Sequence, residues 1–342
     1  MKITTIGLDI AKSVFHAVGV DKAGKLIKKK MLRRKDLLPF VAQIEPCLIV
    51  MEACSGANYW TREFELLGHS VKLIAPQFVV PFRQGNKNDY NDALAIAEAA
   101  QRPNMRFVKP KSVEQQDVQL LHRMRERLTK QSTALINQVR GMLAEYGIVI
   151  AKSKSAFKVQ FPEILTNETN ALTTKGRTIF YQLYEEFTDI ERRLKDCDTQ
   201  VLTETKNNVI CQRLETIPGI GPVYAAGLLA EIGQIERFED QAKLAKYAGL
   251  TWKVSQSGNF QSERTPLTKT GNRYFRYYLI EATNSVRRHL PEFKTYYQKK
   301  YKEVPKHQHK RALVLTARKF VRLVDTLLRN HQLYTSPRSV ES

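Results

Sequence analysis

Ile3-Thr4-Thr5-Ile6-Gly7-Leu8-Asp9-Ile10 reads as a β-strand with an acid set in its apolar interior. A carboxylate there is costly to bury unless something pairs with it. Downstream, Phe15–Val20 and Leu26–Leu32 alternate as further strands, and Asp21-Lys22-Ala23-Gly24-Lys25 supplies the turn between them. Lys35–Glu45 has helical spacing, with Leu37, Phe40, Val41 and Ile44 on one side. Leu48–Ala53 is a short apolar run, the mark of a buried strand. Ala57–Leu67 predicts a helix, Ser70–Ala75 a strand stopped by Pro76, and Asp89–Gln101 an alanine-rich helix. Three strands, helix, strand, helix, strand, helix is the order of an α/β layer on a mixed sheet.

The acids form a pattern. Glu52 closes the apolar run Leu48-Ile49-Val50-Met51 and repeats the anomaly of Asp9. In Asn88-Asp89-Tyr90-Asn91-Asp92-Ala93, Asp89 and Asp92 are three apart at a helix start and share a face. Four carboxylates on a sheet and an adjoining helix suit Mg²⁺ or Mn²⁺, which prefer carboxylates, waters and phosphate oxygens. Two such ions about 4 Å apart serve phosphodiester chemistry. Each acid also has an ordinary reading. Asp89 could cap the helix, Asp92 could sit in the favourable field of its N-terminus, and Glu52 could be a strand-end acid in a salt bridge.

Beyond this layer, Val113–Tyr146 predicts one long helix. Leu121, Met124, Leu128, Leu135, Val139, Met142 and Tyr146 recur in a heptad-like stripe with a gap near Ser132. Packing within its own chain and a dimerising coiled coil are equal readings of that stripe. Residues Ala151–Thr178, polar and holding Pro162, read as a linker or flexible insertion. Helices resume at Ile179–Thr205 and Val209–Leu214. Ile217-Pro218-Gly219-Ile220-Gly221-Pro222 then forms a hairpin before a helix at Val223–Ile232. After a polar loop, Thr251–Gly271, helices are expected at Asn272–His289 and Lys310–Asn330. The resulting division is residues 1–110, a connector at 111–206, a C-terminal domain at 207–335, and a tail at 336–342.

The 342 residues carry 55 Lys and Arg against 34 Asp and Glu, a net charge of +21. Between Arg264 and Ser342 the balance is 18 to 5, so the excess is clustered, as on a nucleic-acid-binding face. Gly219 and Gly221 open backbone N–H groups to a phosphate if the hairpin is of the helix–hairpin–helix kind; an ordinary turn is the alternative. Lys269, Arg273 and Arg276 alternate with Tyr274, Phe275, Tyr277 and Tyr278, which suits phosphate contact and stacking. Arg311, Arg318, Arg322 and Arg329 make a cationic helical stripe opposite Leu313, Ala317, Phe320, Val324 and Leu327. With 42% hydrophobic residues and no apolar run of membrane-spanning length, global disorder and a membrane span are not expected. The four cysteines lack metal-site spacing. The N-terminus runs directly into a strand pattern without a signal-like segment, so a cytoplasmic protein is expected.

Taken together, Gly7-Leu8-Asp9-Ile10-Ala11-Lys12, Met51-Glu52-Ala53-Cys54-Ser55-Gly56 and Lys87-Asn88-Asp89-Tyr90-Asn91-Asp92-Ala93 resemble the DEDD-type transposases of bacterial insertion sequences, also called bridge-RNA-guided recombinases and related to pilin-gene invertases. Pro218-Gly219-Ile220-Gly221, Ser255-Gln256-Ser257-Gly258 and Leu267-Thr268-Lys269-Thr270-Gly271-Asn272 resemble that family's C-terminal domain. The ordered set spans Ile6 to about His289. The resemblance implies a RuvC-like, RNase H-type domain with Asp9, Glu52, Asp89 and Asp92 as metal ligands. It further implies a coiled-coil connector and a helical C-terminal domain whose nucleophilic serine maps to Ser257.

Composition alone does not single out Ser257, since polar loops commonly use serine for turns. The resemblance implies a covalent phosphoserine link to DNA and a composite site across a dimer or tetramer. It also implies donor and target DNA as partners, paired by a structured bridge RNA, in the nucleoid of a bacterium. Asn88 stands where the family more often has Thr. Gln256 and Asn259 depart from a Ser-Ser-Gly-Gly pattern, so Ser255 competes with Ser257. Three other readings fit the same residues. One is a metal-only RuvC-type junction resolvase, another a non-catalytic nucleic-acid-binding protein. The third is an actin-like sugar kinase, against which the charge and the lack of a later glycine-rich nucleotide motif both argue.

Overall fold

β1 (Thr5–Ile10), β2 (Val14–Val20) and β3 (Leu26–Arg33) run antiparallel as a meander. Asp21 forms the second turn by accepting the N–H groups of Ala23 and Lys25, with Gly24 at φ 82°. The chain continues through α1 (Arg34–Ala42), β4 (Leu48–Glu52), α2 (Ala57–Leu66) and β5 (Ser70–Ile74). It then passes α3 (Pro76–Val79), a 3₁₀ turn at Val80–Phe82, α4 (Asp89–Ala100) and β6 (Phe107–Val108). This computed structural model describes residues 2–84, 88–252, 256–257, 260–261, 267–268, 270–303 and 307–336. It divides into two units, Met1–Val113 and Glu114–Ser342.

In the first unit the sheet order is β3-β2-β1-β4-β5-β6, with β1, β4 and β5 parallel and β6 antiparallel at the edge. Period-two alternation sends Ile6, Leu8, Ile49 and Met51 to one face, where Leu37, Phe40, Trp60 and Phe64 of α1 and α2 cover them. The opposite face carries Val18, Val20, Val50 and Ile74 and is covered by Ala93, Ala95, Ile96, Ala97 and Ala99 of α4. Small side chains let α4 lie close to the sheet. A Cβ on Gly7 would stand 2.1 Å from the Ala93 carbonyl oxygen and 2.7 Å from the Ala97 nitrogen. This helix-covered mixed sheet is the α/β layer expected from the order of its elements.

The second unit begins with three helices, α5 (Val113–Ala144), α6 (Lys154–Thr166) and α7 (Thr174–Lys206). Leu128, Leu135, Val139 and Leu143 of α5 meet Phe157, Phe161 and Leu165 of α6 and Phe180, Phe187 and Ile190 of α7. Most of the heptad-like stripe is therefore used inside its own chain, with Met124 left exposed. Its gap is explained by Ser132, which is buried and donates to Glu191 of α7 at 3.0 Å.

The linker expected at Ala151–Thr178 is a correction. Phe157, Phe161 and Leu165, four residues apart, make α6 an amphipathic core helix. The polar segment after it satisfies its last carbonyls, because Asn170 and Arg177 both donate to the Ile164 oxygen.

The rest of this unit packs around a second core. It holds α8 (Val209–Glu215), α9 (Pro222–Ile232), α10 (Gln241–Tyr247), α11 (Arg273–His289), α12 (Pro291–Glu303) and α13 (Gln308–Arg329). Between α10 and α11, β7 (Gln256–Ser257) pairs with β8 (Phe260–Gln261). No described helix is long and apolar enough to cross a membrane.

Candidate active site

Asp9, next to the last residue of β1, and Glu52, the last of β4, stand on neighbouring parallel strands one register step beyond the paired Leu8 and Met51. Both share the strand face of Gly7 and Val50, the face that α4 covers. That face at the carboxyl ends of parallel strands is where ligands bind in open α/β sheets. Because Gly7 admits α4 at van der Waals range, the start of α4 arrives beside Asp9. One carboxylate oxygen from each of Asp9, Asp89 and Asp92 lies within 4.8 Å of the others.

The cap of α4 resolves the ordinary reading of Asp89. Asn88 Oδ1 accepts the N–H groups of Tyr90 (2.8 Å) and Asn91 (3.4 Å). Asn88 is the cap, so Asp89 is not, while Asp89 and Asp92 both lie in the first turn, where the helix N-terminus favours an acid. Asp89 also faces the Nδ1 of His16 at 3.5 Å, and His16, opposite Asp9 on β2, stands edge-on to Tyr90.

Glu52 lies outside the group of three and is joined to it by Arg83. Its Nη2 lies 3.2 Å from Glu52 Oε1 and its Nε 2.9 Å from Asp92 Oδ1. Burial raises the Asp9 carboxyl pKa above its ordinary value, and the charges of Asp92, Asp89 and Glu52 push it further; His16 opposes them. The three carboxylates that repel one another offer oxygen ligands of the kind a hard divalent cation takes, while Arg83 and His16 pair with oxygens of Asp92 and Asp89. Among the described residues this is where such a donor set converges.

Sequence reasoning missed Arg83 and the roles of Gly7 and Asn88. A glycine two residues before a strand acid, with alanines at 93 and 97 of a later helix, is the readable sign of a close helix–strand contact. Arg83 carried no signal, because it follows a short turn whose position depends on the tertiary fold.

The C-terminal candidates take varied positions. Ser257 lies in β7, with its backbone opposite Phe260; Lys269 and Ser255 lie outside the described residues. Gly219 has φ 95°, and a Cβ there would come within 2.8 Å of His289 Nδ1 and 3.1 Å of the backbone of α11. The hairpin is thus closed against α11 at Gly219, while Gly221, the N-cap residue of α9, faces open space. Arg273 is exposed, with its guanidinium over the Tyr274 ring at 4.7 Å. Arg276 donates to the Ala248 carbonyl at 2.9 Å, and burial lowers its pKa. Along α13, Arg318 is half-buried and Arg322 exposed. Arg329 is held by Asp325 and by the Phe238 carbonyl, both at 2.9 Å.

Comparison with known proteins places these features in context. Residues 211–298 match the family described as Transposase IS116/IS110/IS902 family, and residues 6–148 match a DEDD family described as Transposase. The chain is 40% identical over 288 residues to the transposase for insertion sequence element IS1111A of Coxiella burnetii, covering 84% of this chain and 79% of that protein. It is 38% identical over 287 residues to a probable family 20 transposase of Pseudomonas aeruginosa, covering 84% and 85%. With the transposase for insertion sequence element IS1328 of Yersinia enterocolitica it shares 34% identity over 283 residues, 82% of each.

Proposed function

The chain belongs to the IS116/IS110/IS902 family of insertion-sequence transposases, and from that premise we propose how it cuts and rejoins DNA. Residues 1–110 form a RuvC-like domain in which Asp9, Glu52, Asp89 and Asp92 hold Mg²⁺ or Mn²⁺. Residues 111–206 are a connector, and residues 207–335 form the domain that carries the nucleophile, Ser257. The observation that carries this reading is the meeting of Asp9, Asp89 and Asp92 on one end of the sheet, where among the described residues Arg83 pairs with Asp92 and His16 approaches Asp89.

A divalent ion held there would polarise a phosphate oxygen and offset the charge that develops on it. The protein's own part is to hold those oxygens in place before DNA arrives. The sheet fixes Asp9 and Glu52; the Asn88 cap and the Gly7 contact fix Asp89 and Asp92. Ser257 Oγ attacks a DNA phosphorus and forms an Oγ–P bond as one bridging P–O bond breaks. The released strand leaves as a hydroxyl, taking up a proton equivalent to the one the serine gives up. Attack by a strand hydroxyl on the phosphoserine then restores Ser257 and joins the new partner strand.

Gly221, Lys269, Arg273, Arg318 and Arg322 are assigned to the phosphate backbone, whereas Gly219, packed on α11, and Arg276, bonded to the Ala248 carbonyl, are assigned to holding the domain together. The net charge of +21 supports a polyanionic partner. Donor and target DNA, a bridge RNA, and a homodimer or tetramer in the bacterial cytoplasm complete the reading. The test is purification with the element's flanking RNA co-expressed, followed by reaction with element-end DNA and Mg²⁺. Wild type is expected to form a DNA–protein adduct, and Ser257→Ala to bind DNA without forming one. Normal cleavage by Ser257→Ala would leave a metal-only resolvase as the better reading.

A further inference from the structure

One buried acid in the second unit is not used by this chemistry. Glu231 sits in the last turn of α9, 3% exposed, at the negative end of the helix dipole. Burial and dipole both disfavour a carboxylate there. It persists because donors converge on it. Asn272 Nδ2 donates to Glu231 Oε2 at 2.6 Å, and Gln119 Nε2 of α5 donates to the same oxygen at 3.2 Å. Arg123 approaches Glu231 Oε1 at 3.9 Å. Gln119 also donates to the Ala230 carbonyl, and Arg237 to the carbonyls of Glu231 and Ile232, so the end of α9 is itself fixed.

The donor Asn272 is where the loop holding Ser257 ends. Its Oδ1 caps α11 by accepting the N–H groups of Tyr274 and Phe275. Its amide also donates to the Tyr247 hydroxyl at 2.9 Å, and its backbone N–H to the Tyr247 carbonyl at 2.8 Å. Thr268 N–H donates to the Thr251 carbonyl at 2.8 Å, the two threonine hydroxyls are 3.1 Å apart, and Trp252 bridges Leu267. The glycine at 271 is forced, since a Cβ would lie 2.5 Å from the Tyr247 oxygen. Both ends of the segment that carries Ser257 are therefore closed into one clasp, and the clasp is tied to Glu231.

We propose that Glu231 is a positioning residue for the serine loop, acting through Asn272 to hold the clasped ends of residues 251–271 against α5 and α9. The proposal rests on Ser257 being the nucleophile. A buried carboxylate with converging amide donors makes a stiff anchor, and catalytic side chains on loops need such support.

The test compares full-length wild type with Glu231→Gln, Asn272→Ser and the double variant Glu231→Gln/Asn272→Asp. Glu231→Gln turns an acceptor into a group with its own donors. Asn272→Ser keeps a good helix cap but loses the amide. The double variant reverses donor and acceptor and keeps the cap. Val324→Ala, a core truncation in α13, controls for stability. The readouts are covalent adduct formed on element-end DNA, the DNA dissociation constant, and backbone hydrogen exchange across residues 251–271.

Each single variant is expected to lower the adduct rate by about 100-fold, the scale of a small misplacement of a reacting group, with DNA binding unchanged and loop exchange faster. The double variant is expected to recover most of the rate, and Val324→Ala to keep it. Adduct rates at the wild-type level in both single variants would overturn the proposal. If wild type cuts DNA without an adduct, the serine assignment falls, and the tether is judged by hydrogen exchange alone. Unchanged exchange in Glu231→Gln and Asn272→Ser would then overturn it too.

Discussion

Asp9 and Glu231 are both acids placed where apolar residues would be expected, one in each unit, and they are treated oppositely. Glu231 is met by amide donors from Asn272 and Gln119, with Arg123 nearby. Asp9 is met by the carboxylates of Asp89 and Asp92. Burial of an acid is therefore not itself a sign of chemistry; the partners decide. Satisfied acids hold structure together, whereas acids gathered against their own repulsion are the arrangement proposed above to take a cation.

The largest expected effect follows from the Asp9 cluster. Asp9→Asn or Asp92→Asn is expected to reduce Mg²⁺-dependent strand transfer by about 10³-fold or more, since a metal's charge stabilisation is worth several kcal/mol. Single-turnover cleavage measures it, and unchanged turnover would remove these residues from the ligand set. Next in size is Gly7→Ala. The new methyl would meet backbone of α4, whose movement is expected to destabilise the first unit by about 3 kcal/mol and to separate Asp89 and Asp92 from Asp9. Urea unfolding monitored at Trp60, which packs in the core of that unit, checks the first part.

Smaller effects distinguish the two acids by sign. Glu231→Gln is expected to destabilise by about 2 kcal/mol, because a hydrogen-bonded carboxylate is replaced by a group with competing donors. Asp9→Asn is expected to stabilise the metal-free protein instead, by less than about 1 kcal/mol after solvent screening. The sign follows from its raised pKa. The folded state holds the proton more tightly than the unfolded chain, so ionisation penalises folding as pH rises through the folded pKa. The gain from Asn is present at neutral pH and fades below the ordinary carboxylate range. Equal signs for the two substitutions would break the distinction.

His122 gives a further pH dependence beside the satisfied network. Burial, aided by the charge of Arg125, lowers its pKa to about 4, and Tyr278 Oη lies 3.1 Å from its Nδ1. The unfolded chain takes up the proton first, so stability is lost as pH falls from 6.5 toward about 4. The loss is expected to reach about 3 kcal/mol, at about 1.4 kcal/mol for each pH unit between 6.5 and about 4. His122→Gln is expected to flatten that limb in urea midpoints measured across the range.

The first unit was largely readable because period-two and helical patterns are local. β1 to β5, α1, α2 and α4 fall within a few residues of their expected bounds. The four acids were readable as anomalies within those patterns. What failed depended on partners distant in sequence. Residues Lys154–Thr166 carry only three core side chains among polar neighbours, and their amphipathic face has meaning only against α5 and α7. Pro291–Glu303 is similar: only Phe293 is fully buried in a run of lysines and tyrosines, so α12 left no clear stripe. Arg329 was read with a cationic stripe because Asp325 and the Phe238 carbonyl could not be seen beside it.

The central claim, that the repelling acids and not the satisfied one form a cation site, is tested most directly by Mn²⁺ titration of the DNA-free protein, followed by electron paramagnetic resonance. Wild type and Glu231→Gln are expected to bind Mn²⁺ alike, and Asp9→Asn at least about 100-fold more weakly, since lesions in the outer shell of a site alone reach that scale. Equal binding by wild type and Asp9→Asn, or weakened binding by Glu231→Gln alone, would contradict it.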